Sequence, residues 1–200
     1  MKFPAFFSAA PRIALREPLA AFLGAAEGGL LEYEYADAVK LAGHSCPTVA
    51  SAYLMTRAAL AALYPGETPE RGAVTVEMHE GEAEGVAGLL TGAARAGGFK
   101  GIGGNFVRRD LLSFGAPIEG QVRFTREDTG ASVIASARLD RVPGDPRMGA
   151  LLPRVLAERA SAEEAQLFRA LWQERVRKLL LEHADDPEVI VVRAASPEPA

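Results

Sequence analysis

The sequence predicts an α+β fold: a mixed, largely antiparallel sheet packed by an Ala-rich helix, with a C-terminal helical extension and a final strand. Three observations predict it. Residues 48–64 form a long small-residue segment of helical periodicity, closed by Pro65-Gly66. Residues 73–79 alternate, with Val74, Val76 and Met78 on one face and Thr75, Glu77 and His79 on the other. Residues 106–139 hold three more extended stretches, the last two joined by Asp128-Thr129-Gly130, a hairpin turn.

Taken in order, residues 17–27 read as a short helix with Pro18 in its first turn and Gly28-Gly29 at its end. Residues 30–35 read as a strand, and Asp37 caps a short helix that stops at Gly43. The long helix follows, with Val49, Tyr53, Arg57, Leu60 and Tyr64 on one stripe and Ala50, Leu54, Ala58 and Ala61 on its neighbour. So many alanines imply that another element approaches closely. After the strand at 73–79 comes a helix over 82–96, with Val86, Leu89, Leu90 and Ala93 apolar. A glycine-rich loop, 97–105, leads to the strands at 106–114, 118–126 and 132–139. Beyond the turn at 142–146, a helix over 148–160 precedes a stronger one. Ser161 and Glu164 form a capping box for it, and it runs to about His183. Asp185-Asp186-Pro187 breaks it, residues 188–193 form a final buried strand, and residues 196–200 read as a frayed tail. The predicted division is a core over 1–145 and a helical extension with its strand over 146–200.

Composition excludes several function classes. A net charge of −4 supplies no basic field for nucleic acid or an anionic membrane. Charges such as Arg57 and Glu67 interrupt every apolar run that would span a bilayer. The first eleven residues have too short an apolar stretch, broken by Pro4, to read as a signal peptide, and Phe3, Phe6 and Phe7 read as packing residues. A single cysteine excludes a disulfide framework and a four-cysteine zinc ribbon. The expectation is a reduced, cytoplasmic protein.

The chemistry concentrates in Gly43-His44-Ser45-Cys46-Pro47. Pro47 suits a first helical turn, which places His44 and Cys46 at a helix N-terminus, where unpaired N–H groups favour an anionic donor such as a thiolate. His44 and Cys46, one residue apart, can reach one ion, and His79 at a strand end supplies a third donor. Imidazole, thiolate and carboxylate together suit a divalent metal ion, zinc above all, with a position left open. Glu80, Glu82 and Glu84 follow His79, and Glu82 or Glu80 is the candidate fourth ligand or general base. The loop 97–105 lacks the lysine-serine/threonine ending of a phosphate cradle, and its Asn105 is the residue placed to contact a cofactor. The alternative to metal chemistry is a metal-free enzyme with Cys46 as nucleophile and His44 or His79 beside it. A non-catalytic dimeric assembly protein is the third reading.

Gly43-His44-Ser45-Cys46-Pro47 and the small-residue helix with Tyr53 resemble the Gly-His-x-Cys-Pro-Gly motif of the formylmethanofuran dehydrogenase FmdE family. Residues 85–92 resemble that family's Asp-Ala-Ile-Gln-x-x-Thr-Gly-Cys segment, and residues 101–106 resemble its Gly-Lys-x-Asn-Leu loop. The resemblance covers about residues 35 to 140. Thr48 stands where the family has glycine, Gly85 where it has aspartate, and Glu82 and Ala93 where it has cysteines. The resemblance carries over His44 and Cys46 alone; His79 comes from strand geometry. It implies a metal-site domain and a homodimer, in a family commonly encoded beside molybdenum or tungsten enzymes, and does not imply formylmethanofuran chemistry in this chain; the expected function is a metal-binding domain with a small-molecule pocket, accessory to a molybdenum/tungsten or one-carbon enzyme.

Overall fold

The computed structural model describes residues 2–79 and 84–195, with Glu84 described by its backbone alone. The expected start of a helix at Glu82 and the tail at 196–200 lie outside the described residues. A 3-10 turn over Ala5–Ala9 precedes β1 (Ile13–Arg16), α1 (Pro18–Leu23) and β2 (Leu30–Tyr33). Then come α2 (Tyr35–Ala42), α3 (Pro47–Leu63), β3 (Val74–Met78), α4 (Glu84–Thr91) and β4 (Leu112–Phe114). The chain continues through β5 (Val122–Arg126), β6 (Ser132–Ala137), α5 (Met148–Leu156), α6 (Ala162–Leu181) and β7 (Ile190–Ala194). β1 and β2 form an antiparallel pair. The main sheet has the order β4-β3-β5-β6-β7, with β3 and β4 parallel and the other neighbours antiparallel. The fold is α+β, as the sequence predicts.

Helix α3 is the centre of the molecule. Its alanines leave little bulk, so β5, β6 and β7 pack on it as well as α2, α4 and α6. Most of its circumference is buried, including Ala50, Tyr53, Leu54 and Ala59 at 0% exposure, while Arg57 and Ala58 are half-buried and Ala61 and Ala62, near its end, are exposed. The Tyr53 hydroxyl shares its one proton between the Pro11 and Tyr33 carbonyls, 2.8 and 3.0 Å away, tying the β1–β2 pair to α3. Phe7 packs edge-on against Tyr35, and Tyr35 against Tyr53, which is how the N-terminal phenylalanines join the core.

Several expectations change. Helix α1 ends at Leu23, where Gly24 takes φ +68°, and α2 starts at Tyr35 with Glu34 as its N-cap and Asp37 in its first turn, which ends the strand before it at Tyr33. The strand over 106–114 shrinks to β4, because Phe106 and Asp110 have positive φ, which a strand does not accommodate. The helix over 82–96 ends at Thr91, where Gly92 takes φ +76° and the Thr91 hydroxyl accepts from Ala93 N at 3.1 Å. The helix over 148–160 ends at Leu156, two residues before Glu158 at φ +55°. Strand β1 is new; its buried Ile13 and Leu15 alternate over only four residues, too short a run to signal a strand. The capping box at Ser161 and Glu164 forms as expected, with Ser161 Oγ accepting from Glu164 N at 3.2 Å.

The turn before α5 is held by Asp145. Its carboxylate accepts from Arg147 N and from the Arg147 guanidinium, each at 2.9 Å. The guanidinium's hydrogen bond, with the backbone one behind it, holds that carboxyl down at about 2. A depressed folded pKa gives stability that is present above the unfolded value and is lost as pH falls through the folded one. Asp145 is therefore expected to titrate near pH 2 by NMR, and in Arg147→Ala to move up toward the usual value of about 3.9. An unchanged midpoint in the variant would refute the pairing.

Candidate metal and thiol site

The α2–α3 junction builds the site. Gly43 closes α2 in the left-handed conformation at φ +77°, and Cys46 caps α3 with Pro47 in the first turn. Cys46 is 6% exposed, and its Sγ accepts from Val49 N at 3.3 Å, the bond an N-cap side chain makes. His44 is exposed, with Nδ1 3.0 Å from the Ala42 carbonyl. A carbonyl only accepts, so Nδ1 carries the proton and the Nε2 lone pair is left open. That is the tautomer a metal ligand needs.

His79 is exposed just past β3, and its Nε2 lies 3.3 Å from the Ile118 carbonyl, so its Nδ1 is the open nitrogen. Glu77, on the same strand face, pairs with Arg123 at 3.2 Å. Among the described residues no group of three or more His, Cys, Asp or Glu side chains is placed to hold a metal ion. Glu80 and Glu82 lie outside the described residues. Gly85, where the chain re-enters α4, sits against Leu41; a Cβ built there would be 3.4 Å from the Leu41 side chain. Asn105 is exposed, and its amide donates to Gly103 O at 3.3 Å within its own turn.

The residue between the two donors is the most heavily bonded. Gln173 of α6 receives the Ser45 hydroxyl proton on Oε1 at 3.0 Å and donates Nε2 to the Ser45 carbonyl at 3.1 Å. Trp172 Nε1 donates to the same carbonyl at 3.1 Å. Tyr35 lies 3.0 Å from Ser45 Oγ, and burial pushes its phenol well above the ordinary value, so it stays protonated. The Ser45 proton is already given to Gln173, which makes Tyr35 the donor. No sequence signal points to these contacts. Nothing local ties α6 to a loop 128 residues away.

An apolar cavity of about 190 Å³ adjoins the motif, walled by Pro47, Met148, Leu152, Leu171 and Trp172, with Arg175 at its side. Arg175 is itself held by the Val142 and Leu139 carbonyls at 2.7 and 2.8 Å.

Comparison with known families decides the relationship. The model described as "FmdE, Molybdenum formylmethanofuran dehydrogenase operon" matches residues 41–186. The chain belongs to the FmdE family. No curated protein and no solved structure matches it. The FmdE match begins just before the motif and runs through α6, well beyond the residues whose motifs are legible by eye. A second cavity, about 280 Å³, lies between α4 and residues 93–98, and Gly85, Gly88 and Ala93 line it. Gly85 and Ala93 stand where the FmdE segment that residues 85–92 resemble carries aspartate and cysteine, so small residues line this space.

Proposed function

We propose that this FmdE-family protein binds a divalent metal ion, zinc first, and serves as an accessory to a molybdenum- or tungsten-dependent one-carbon enzyme. One observation carries the reading: His44 spends Nδ1 on its own loop and keeps Nε2 open, two residues from a thiol at the N-terminus of α3. His44 and Cys46 fit an ion as two of its donors, by chemistry and by tautomer. His79 Nδ1 and a carboxylate of Glu80 or Glu82 complete the set in this proposal. The ion would supply a Lewis-acid position open to a small molecule, which the apolar cavity beside Pro47 would house. The working form is a cytoplasmic homodimer, and the operon named by the family supports the accessory role.

Metal analysis of protein purified without a histidine tag tests this. About one zinc per chain is expected in wild type, and little in the His44→Ala, Cys46→Ala double variant. Equal metal in both rejects the reading. The second reading keeps Cys46 as a nucleophile without metal, favoured by the Val49 N–H aimed at its sulfur. It predicts fast alkylation of Cys46 that chelators leave unchanged, whereas the metal reading predicts alkylation that speeds up once the ion is stripped.

A further inference from the structure

Ser45 is tied down more firmly than a short helix connection requires. Its hydroxyl accepts from Tyr35 and donates to Gln173, and its carbonyl accepts from both Gln173 and Trp172. The Gln173 amide has only one workable orientation here. Reversing it would set Oε1 against the Ser45 carbonyl, two acceptors facing each other. Tyr35 is fully buried and fixed by ring contacts to Phe7 and Tyr53. The clamp thus joins a rigid core side chain on one side to α6 on the other.

What it holds is the link between the two donors. His44 and Cys46 flank Ser45, and the preceding Gly43 is held in the left-handed conformation that ends α2. The hydrogen bonds of His44 and Cys46 stay within the junction, to Ala42 and Val49. Among the described residues, side-chain hydrogen bonds from outside the junction reach the motif at Ser45 alone, from Tyr35, Trp172 and Gln173. The distance and angle between Nε2 and Sγ are therefore set through Ser45.

We propose that Trp172 and Gln173 are positioning residues of the His44–Cys46 site, fixing the geometry of both donors through Ser45. This rests on metal binding at His44 and Cys46. Partners that orient ligands typically change metal affinity 10–100-fold when lost. A clamp that served only to dock α6 would change stability and leave affinity alone.

Cobalt(II) titration separates these, because thiolate ligation gives a charge-transfer absorption specific to Cys46. In wild type that band is expected to appear and saturate. In the Trp172→Phe, Gln173→Leu double variant, which keeps the bulk and removes all three bonds, affinity is expected to fall about 10-fold or more, with a weaker or shifted band. Each single variant leaves the Ser45 carbonyl one donor and is expected to lose less. The single variants decide the same question if the double variant does not fold. Wild-type affinity and band in folded variants would overturn the positioning role while leaving the metal reading standing. No thiolate band in wild type would overturn the metal reading, and this inference with it.

Discussion

Glu17→Gln is expected to cost about 3–5 kcal/mol of stability, the range for removing one partner of a buried ion pair. Glu17 is 6% exposed and caps α1, accepting from Leu19 N at 3.0 Å. Its carboxylate also receives Arg71 at 2.7 Å and a short bond from Arg108, whose side chain is 10% exposed. Arg71 goes on to the Leu89 carbonyl at 3.0 and 3.1 Å, and Arg108 to the Arg71 carbonyl at 2.6 Å. The cluster thus pins α1 and the loop before β4 to the end of α4. Gly72 is part of it; a Cβ there would fall on the Arg108 guanidinium. Two guanidiniums contact this one carboxylate, so glutamine removes the charge both of them touch at almost unchanged volume. Arg108→Met leaves Glu17 balanced by Arg71 and is expected to cost less. Urea unfolding of the three proteins reads this. A Glu17→Gln loss under about 1 kcal/mol, the range of exposed pairs, rejects it.

That cluster was invisible in the sequence, for a physical reason. Arg71 and Arg108 stand 54 and 91 residues from Glu17, and each looks like an ordinary surface charge until the fold brings them together. The Ser45 clamp was hidden in the same way. Local signals fared better. The alternation of Val74, Val76 and Met78 marked the buried face of β3, and the Ser161–Glu164 box marked the start of α6, because period and capping act within a few residues. The glycine loop misled in one respect. Phe106 through Leu111 has strand-like composition, but its backbone is turned by positive φ at Phe106 and Asp110. Phe106 is kept there by Phe22 of α1, 5.3 Å between ring centroids, a contact no local pattern announces. The motif His44-Ser45-Cys46 was legible as chemistry, and its placement at a helix start was legible from Pro47. Which side chains orient it was a matter of tertiary structure.

Phe124→Ala is expected to destabilise the protein by about 3–5 kcal/mol, through lost transfer energy and the cavity left behind. Phe124 has 0% exposure on β5 and sits in register between Val76 of β3 and Val133 of β6. Strand β5 also lies against α3, so the ring fills the layer between sheet and central helix. Strands on both sides are hydrogen-bonded to β5, so the backbone cannot close in to fill the void. For a chain of this size the loss corresponds to a melting point lower by roughly 10 °C. Phe124→Leu, which keeps most of the volume, is expected to cost about a third as much. The variant also separates scaffold from site. The hydrogen bonds of Phe124 belong to the sheet, on β3 and β6, and none runs to residues 43–47. Below its melting point, Phe124→Ala is therefore expected to keep the wild-type cobalt(II) spectrum, whereas Trp172→Phe, Gln173→Leu alters it. Thermal unfolding and cobalt titration of the two variants side by side check the pair. A melting point within about 2 °C of wild type for Phe124→Ala would mean that the ring does not fill the space between β5 and α3.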